Sequence, residues 1–114
     1  MRPVISGVQG ALLRAIRRFL EDERQQSFPA MVVEATASEG WASATFSGHR
    51  HRLELSFTGG DAARVDALVR ELATAELVMP GHIVADISLI EHEMRDGCPH
   101  PTHRLVFEAL TVAD

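Results

Sequence analysis

The sequence contains no tyrosine and no lysine, and it has a single cysteine and a single tryptophan. One cysteine cannot form an internal disulfide bond, so nothing indicates an oxidising compartment and we expect a cytoplasmic protein. Because lysine is missing, and because Asp61 would repel an anion, the loop Thr58-Gly59-Gly60 is not a phosphate-binding P-loop. With so few aromatic side chains, stacking on single-stranded nucleic acid is also disfavoured.

Basic residues and long apolar runs are scarce as well. Eleven arginines are outnumbered by sixteen acidic residues, which gives a net charge of −5. Proteins that bind polyanions carry a basic excess instead. Arginines interrupt the short apolar run within the first twenty residues, so we expect no secretion signal. We therefore expect neither nucleic acid nor a membrane as a partner.

Length and composition bound the architecture. With 46% hydrophobic and 24% charged residues, the chain has the composition of a soluble globular protein. A single domain over residues 1–114 is expected, because a chain of this size buries about two thirds of the surface that its unfolded form exposes.

Two segments have the spacing of amphipathic helices. The first runs from Val4 to about Gln26 and ends before Pro29, and the second follows Asp61, which is a suitable N-cap. Apolar residues recur at intervals of three and four in both, which puts them on one stripe of each helix. The two stripes consist of Ile5, Val8, Leu12, Ala15, Ile16, Phe19 and Leu20, and of Val65, Leu68, Val69 and Leu72.

The remaining segments alternate as strands do. Residues 31–58 are punctuated at Glu39-Gly40 and Gly48-His49, which predicts three antiparallel strands. Two further strands are predicted at residues 82–93 and 103–112. By parity, the buried side of the sheet would carry Met31, Val33, Ala35, Ala42, Ala44, Phe46, Leu53, Leu55, Phe57, Ile83, Ala85, Ile87, Leu89, Leu105, Phe107 and Ala109.

These elements predict an α+β two-layer sandwich. Their order is α-β-β-β-α-β-β, with an antiparallel sheet and both helices on one face. The other face would carry Val32, Trp41, Val84, Ile90, Val106, Leu110 and Val112, with polar residues between them. Such an apolar surface is typical of association or ligand sites. We therefore expect a homodimeric binding or assembly module that uses this face.

A small enzyme or metalloprotein is the alternative. Its polar site would lie in a cleft at the subunit interface and would bind a small molecule. The candidate ligand-binding residues, chosen by chemical type and shared face, are Trp41, His82, Asp86, His92 and Arg104. No catalytic residue is assigned, since alternate residues on a strand, such as Asp86 and Ser88, stand too far apart for a catalytic triad.

The stretch between the last two strands suggests a metal site. Cys98, His100 and His103 supply three of the four ligands that zinc needs. Without a β-bulge, strand parity puts Glu93 on the side of His103 and His92 on the other side, so Glu93 would be the fourth ligand. The spacing matches no standard zinc motif, and a loop rich in Asp, Gly and Pro is also typical of an exposed hairpin tip. We favour the hairpin tip and expect no cofactor.

Overall fold

The protein forms a four-stranded antiparallel sheet with two helices on one side. The structure is a computed structural model that describes residues 7–23, 30–59, 62–97 and 101–113. The elements are α1 (Gly7–Glu23), β1 (Ala30–Ala42), β2 (Ser47–Thr58), α2 (Ala62–Thr74), β3 (His82–Arg95) and β4 (Thr102–Ala113). The strand order across the sheet is β1-β2-β4-β3. The predicted α+β class with helices on one face is confirmed.

The core lies between the helices and the central strands. The apolar stripes of α1 and α2 pack on β2 and β4 as their spacing predicts. Fully or nearly buried side chains are Leu12, Ile16, Leu20, Val65, Leu68, Leu72, Leu53, Leu55, Phe57, Leu105 and Phe107. The predicted N-cap Asp61 and the predicted helical residues 4–6 and 24–26 lie outside the described residues. No helix within the described ranges is long and apolar enough to cross a membrane.

The segment between the helices forms two strands and not three. The predicted break at Glu39-Gly40 lies inside β1, where both residues pair with β2. The chain reverses instead at Ser43–Phe46, where the Ser43 hydroxyl accepts a hydrogen bond from the Phe46 N–H at 3.1 Å. Ala42, Ala44 and Phe46, predicted to be buried, are therefore exposed at the hairpin end.

An extra residue in β1 also changes the predicted alternation. Val33 pairs with Leu55 and Ala35 pairs with Glu54, so Glu34 is the additional residue of a β-bulge. A bulge reverses which side chains face the core. Met31 and Val33 therefore pack against the core as predicted, whereas Ala35 is exposed.

Two further bulges, at Ala85 and Ile90, change the alternation of β3. The pairs Ile87↔Ala109 and Leu89↔Phe107 lie between the bulges and keep the predicted side. Before the first bulge Val84 packs against the core on the helix side. After the second bulge the exposed His92 also lies on the helix side, because opposite residues of an antiparallel pair share a face. The prediction that Ile83 and Ala85 face the helices was wrong, since both are exposed.

Gly48 is required by the close approach of β2 and β4. A Cβ atom at this position would lie 1.9 Å from the backbone oxygen of Thr111. At Gly40, also within the β1–β2 hairpin, the nearest atom to such a Cβ would be the Gly48 oxygen at 3.9 Å, an ordinary contact.

We expect Gly48→Ala to destabilise the fold by about 1–3 kcal/mol or more, because the backbone of β4 must shift to avoid overlap. Gly40→Ala is the matched control and should be neutral or slightly stabilising. Urea unfolding of both variants measures the difference. Equal stability of the two variants would contradict the close approach.

Candidate functional site

The side of the sheet opposite the helices is not covered by any described element, and we call it the uncovered face. Its side chains come from all four strands. They are Val32, Ala35, Ala37, Glu39, Trp41, Arg50, Arg52, Glu54, Ser56, Arg104, Val106, Glu108, Leu110, Val112, Ile83, Asp86, Ser88, Glu91, Glu93 and Arg95. Four arginines and six acidic residues are half of these side chains, so the face is more highly charged than the apolar surface that parity had predicted.

Four of these charged side chains form a closed ring. Arg104 donates to Glu54 at 2.5 Å and lies 3.7 Å from Glu91. Arg52 lies 3.7 Å from each of the same two carboxylates. We call this arrangement the arginine–glutamate ring. Each arginine thus contacts both glutamates, and each glutamate contacts both arginines.

The ring surrounds Val106. This valine pairs with Glu54 on one side and Glu91 on the other, and its exposed fraction is 0%. Valine on a face that no helix covers can be buried only by its neighbours, and the apolar stems of long charged side chains suit that role. Exposed ion pairs contribute only about 0–1 kcal/mol each. The main effect of the ring is therefore to hold the charges in fixed positions.

Two pKa shifts reflect these contacts. The hydrogen bond to Glu54, followed by the charges of Glu54, Glu91 and Glu93, raises the pKa of Arg104. The hydrogen bond from Arg95, 2.7 Å from the carboxylate, and its positive charge lower the pKa of Glu93. Both shifts favour the charged forms of Arg104 and Glu93.

Apolar side chains lie around this charged centre. Val32 and Ile83 are 52% and 54% exposed, and Trp41, Leu110 and Val112 are half-buried. Of the apolar residues predicted here, Val84 faces the helices and Ile90 is the extra residue of a bulge. A shallow groove crosses the face at Ala37, whose small side chain lies among those of Glu39, Arg50, Arg52 and Glu108.

The five candidate ligand-binding residues do not share one face. Asp86 and Trp41 lie on the uncovered face, because each pairs with a central-strand residue that faces this side. Arg104 is itself such a central-strand residue. His82 and His92 lie on the helix side, since the bulges at Ala85 and Ile90 reverse the alternation on either side of Ile87. The sheet separates the two groups, so they cannot line one cleft of a single subunit.

The predicted metal ligands are divided in the same way. Glu93 lies on the uncovered face, where it pairs with Arg95, whereas His103 is fully buried on the helix side. Glu93 and His103 therefore cannot coordinate the same ion. Cys98 and His100 lie outside the described residues. Among the residues that are described, no group of three or more His, Cys, Asp or Glu side chains is arranged to hold a metal ion.

His92 and His103 meet instead. The bulge at Ile90 turns His92 toward the helix side, where its Nε2 lies 3.1 Å from Nδ1 of His103. One ring must donate and the other accept, which requires both to be neutral or only one to carry an extra proton.

A second polar cluster, which we call the His51 network, ties α1 to three strands. It consists of Gln9, Ser38, His51 and Thr111. The Gln9 amide donates to Ser38 at 2.6 Å, and Ser38 Oγ lies 2.7 Å from His51 Nδ1. On the other side of the imidazole, His51 Nε2 lies 3.0 Å from Thr111 Oγ1, and the Thr111 hydroxyl donates to the His49 carbonyl at 3.4 Å.

The direction of these bonds identifies the tautomer of His51. Because Thr111 donates its proton to the carbonyl, it accepts one from His51 Nε2. Nδ1 then accepts the proton of Ser38. Every polar atom of the fully buried His51 ring is therefore satisfied when the ring is neutral.

His49 and His82 lie next to this network. Their ring centroids are 6.5 Å apart, and that of His49 is 5.9 Å from that of His51. Burial, and then the neighbouring His49 and His82, lower the pKa of His51. The network was not predicted, although a signal was present: His51 and Thr111 continue the odd-numbered alternation of Leu53 and Ala109.

Thr111→Val should remove the acceptor of the His51 Nε2–H and leave a buried donor unsatisfied. We expect a loss of about 1–3 kcal/mol in the free energy of unfolding, measured by urea denaturation. The same substitution at Thr58, which is exposed on β2, is the control and should change stability by no more than about 0.5 kcal/mol. Similar losses for both variants would argue against the network.

Stability should also depend on pH through His51. Its pKa is lower in the folded than in the unfolded protein, where the usual value is 6.5. Below pH 6.5 the unfolded protein binds more protons, so the free energy of unfolding falls until the folded-state pKa is reached. Above pH 6.5 the contribution is complete. His51→Gln should reduce this decrease, as measured by chemical unfolding between pH 8 and about pH 5; an unchanged pH profile would contradict the assignment.

Comparison with known proteins supports the fold. No protein-family model and no curated protein matches the sequence. Among solved structures, the chain is similar to a protein in the virion of a native gene transfer agent particle, with a TM-score of 0.72 and 17% sequence identity. The match covers 94% of this chain and 98% of that one. At this identity the likeness shows a shared fold.

Proposed function

We propose that this protein is a structural subunit that associates with a second copy through the uncovered face, as part of a larger assembly. The observation that carries the proposal is the arginine–glutamate ring at the centre of a sheet face that no described helix covers. The shared fold with a component of a virion, itself a multi-subunit particle, supports a role in assembly.

A fixed pattern of charges suits specific association. Complementary charges orient two partners and suppress wrong pairings more than they add affinity. Arginine is enriched in protein interfaces, whereas lysine is depleted, and this chain uses arginine alone. The half-buried Trp41, Leu110 and Val112 provide apolar contact area of the kind that carries binding energy.

The two signs alternate over short distances on the uncovered face. Arg52 and Arg104 lie beside Glu54 and Glu91, while Asp86 and Glu108 add negative charge next to Leu110. A second copy related by a two-fold axis presents the same pattern, so its arginines can meet these carboxylates. The enzyme alternative has no comparable support, because its candidate residues lie on both sides of the sheet.

Leu110→Asp tests the proposal. The substitution removes apolar contact area and places an acid between Asp86 and Arg50, which lie opposite Leu110 in β3 and β2. We therefore expect it to lower the weight-average mass in sedimentation across all concentrations. Val78→Asp is the matched control, because Val78 is 75% exposed and belongs to the connection before β3. Identical masses of the wild type and Leu110→Asp would contradict association through this face.

A further inference from the structure

The sheet ends in two edge strands that differ in their protection. β1 and β3 are the outer strands, and no described segment pairs with the outward side of either. An unprotected edge is a template for another strand, and proteins block such edges with bulges and charged side chains. β3 has two bulges, at Ala85 and Ile90. It also carries the charged residues Asp86, Glu91, Glu93 and Arg95.

β1 lacks this protection over most of its length. Beyond the bulge at Glu34, it pairs regularly with β2 from Ala35 to Ala42. At strand spacing these eight residues extend about 27 Å. Glu39 is the one charged residue among them, and most of the side chains are small and exposed. We call the segment Ala35–Ala42 the β1 edge.

We propose that the β1 edge pairs antiparallel with the β1 edge of a second copy, so that the two sheets join into one of eight strands. A β1–β3 contact would require the bulged strand to accept a regular one, and it would leave one unprotected β1 edge unpaired. A β1–β1 contact has two-fold symmetry and uses both unprotected edges at once.

The sequence of the β1 edge permits this pairing. Opposite residues must lie on the same face of a continuous sheet, so an odd-numbered residue faces an odd-numbered one. A register centred on Ala37 or on Ser38 sets Glu39 opposite Ala35 or Ala37. A register centred on Glu39 would set two carboxylates opposite each other, which disfavours it. Two of the three central registers are therefore free of repulsion.

This inference rests on the proposed function only for the premise that copies associate. It adds a second contact surface, independent of the arginine–glutamate ring. With both surfaces available, one copy can contact two others, as a subunit of a larger particle must.

Ala37→Glu tests the edge contact. Within its own subunit the new carboxylate faces Arg52, its partner in β2, so folding should be preserved. In the dimer the new carboxylate faces Glu39 of the second copy if the register is centred on Ser38, or its own counterpart if the register is centred on Ala37. Repulsion between these carboxylates should raise the dissociation constant about ten-fold or more. The matched control is Ala85→Glu, at an exposed alanine of the other outer strand, β3. This variant should leave the dissociation constant unchanged.

Hydrogen exchange on the wild type gives a readout that needs no variant. With rising protein concentration, the outward-facing backbone amides of the β1 edge, which do not bond to β2, should become protected, whereas the outward-facing amides of β3 should not. The double variant Ala37→Glu with Leu110→Asp should be monomeric. Because Ala37 also lies on the uncovered face, the readout that separates the two surfaces is the protection of the β1 amides in Leu110→Asp.

The outcomes distinguish the two proposals. Association that Leu110→Asp abolishes, with β1 amides exchanging rapidly at all concentrations, overturns the edge contact and supports the proposed function. Protected β1 amides with no effect of Leu110→Asp support the edge contact and overturn association through the uncovered face. A wild type that stays monomeric overturns both.

Discussion

Three β-bulges, at Glu34, Ala85 and Ile90, determine which side of the sheet most edge-strand residues occupy. The central strands β2 and β4 pair without interruption, so odd-numbered residues face the helices along their full length. Each bulge adds one residue and reverses the alternation of the strand beyond it. In β3 the inward residues are therefore even-numbered before Ala85, odd-numbered between the bulges and even-numbered after Ile90. The helix-side positions of His82 and His92, and the outward position of Glu91 in the arginine–glutamate ring, follow from these bulges.

The bulge at Ile90 has the largest consequence. It turns His92 toward His103 on the helix side and Glu91 outward, where Glu91 completes the arginine–glutamate ring. Without the extra residue, Glu91 would lie on the helix side opposite Leu105, where His92 lies now, and it could not reach the two arginines of the ring. The His92–His103 contact on the helix side and the arginine–glutamate ring on the uncovered face therefore both depend on the bulge at Ile90.

Sequence periodicity predicted the regular parts of the fold. The spacing of Leu12, Ile16 and Leu20 and the alternation of Leu53, Leu55 and Phe57 identified the buried sides of α1 and β2 correctly. Bulges leave no trace in hydrophobic alternation when the residues around them are polar, as Glu91, His92 and Glu93 are. The assignment of His92 to the same face as Arg104 failed for that reason. That of His82 failed because Ile83 and Val84 are both apolar, so the alternation before the bulge at Ala85 fits either side. The third strand was overpredicted because Gly40, which is typical of a turn, lies within a regular edge strand.

The two sides of the sheet satisfy their polar groups by different means. On the helix side, the neutral His51, Ser38 and Thr111 use directed hydrogen bonds, whose geometry depends on the protonation of His51. On the uncovered face, arginines and glutamates joined by ion pairs enclose Val106. Protonation of His51 therefore acts on the packing of the helices against the sheet, whereas salt, which screens exposed charges, acts on the uncovered face. The proposed association through the uncovered face would therefore depend on groups other than those that hold the helices on the sheet.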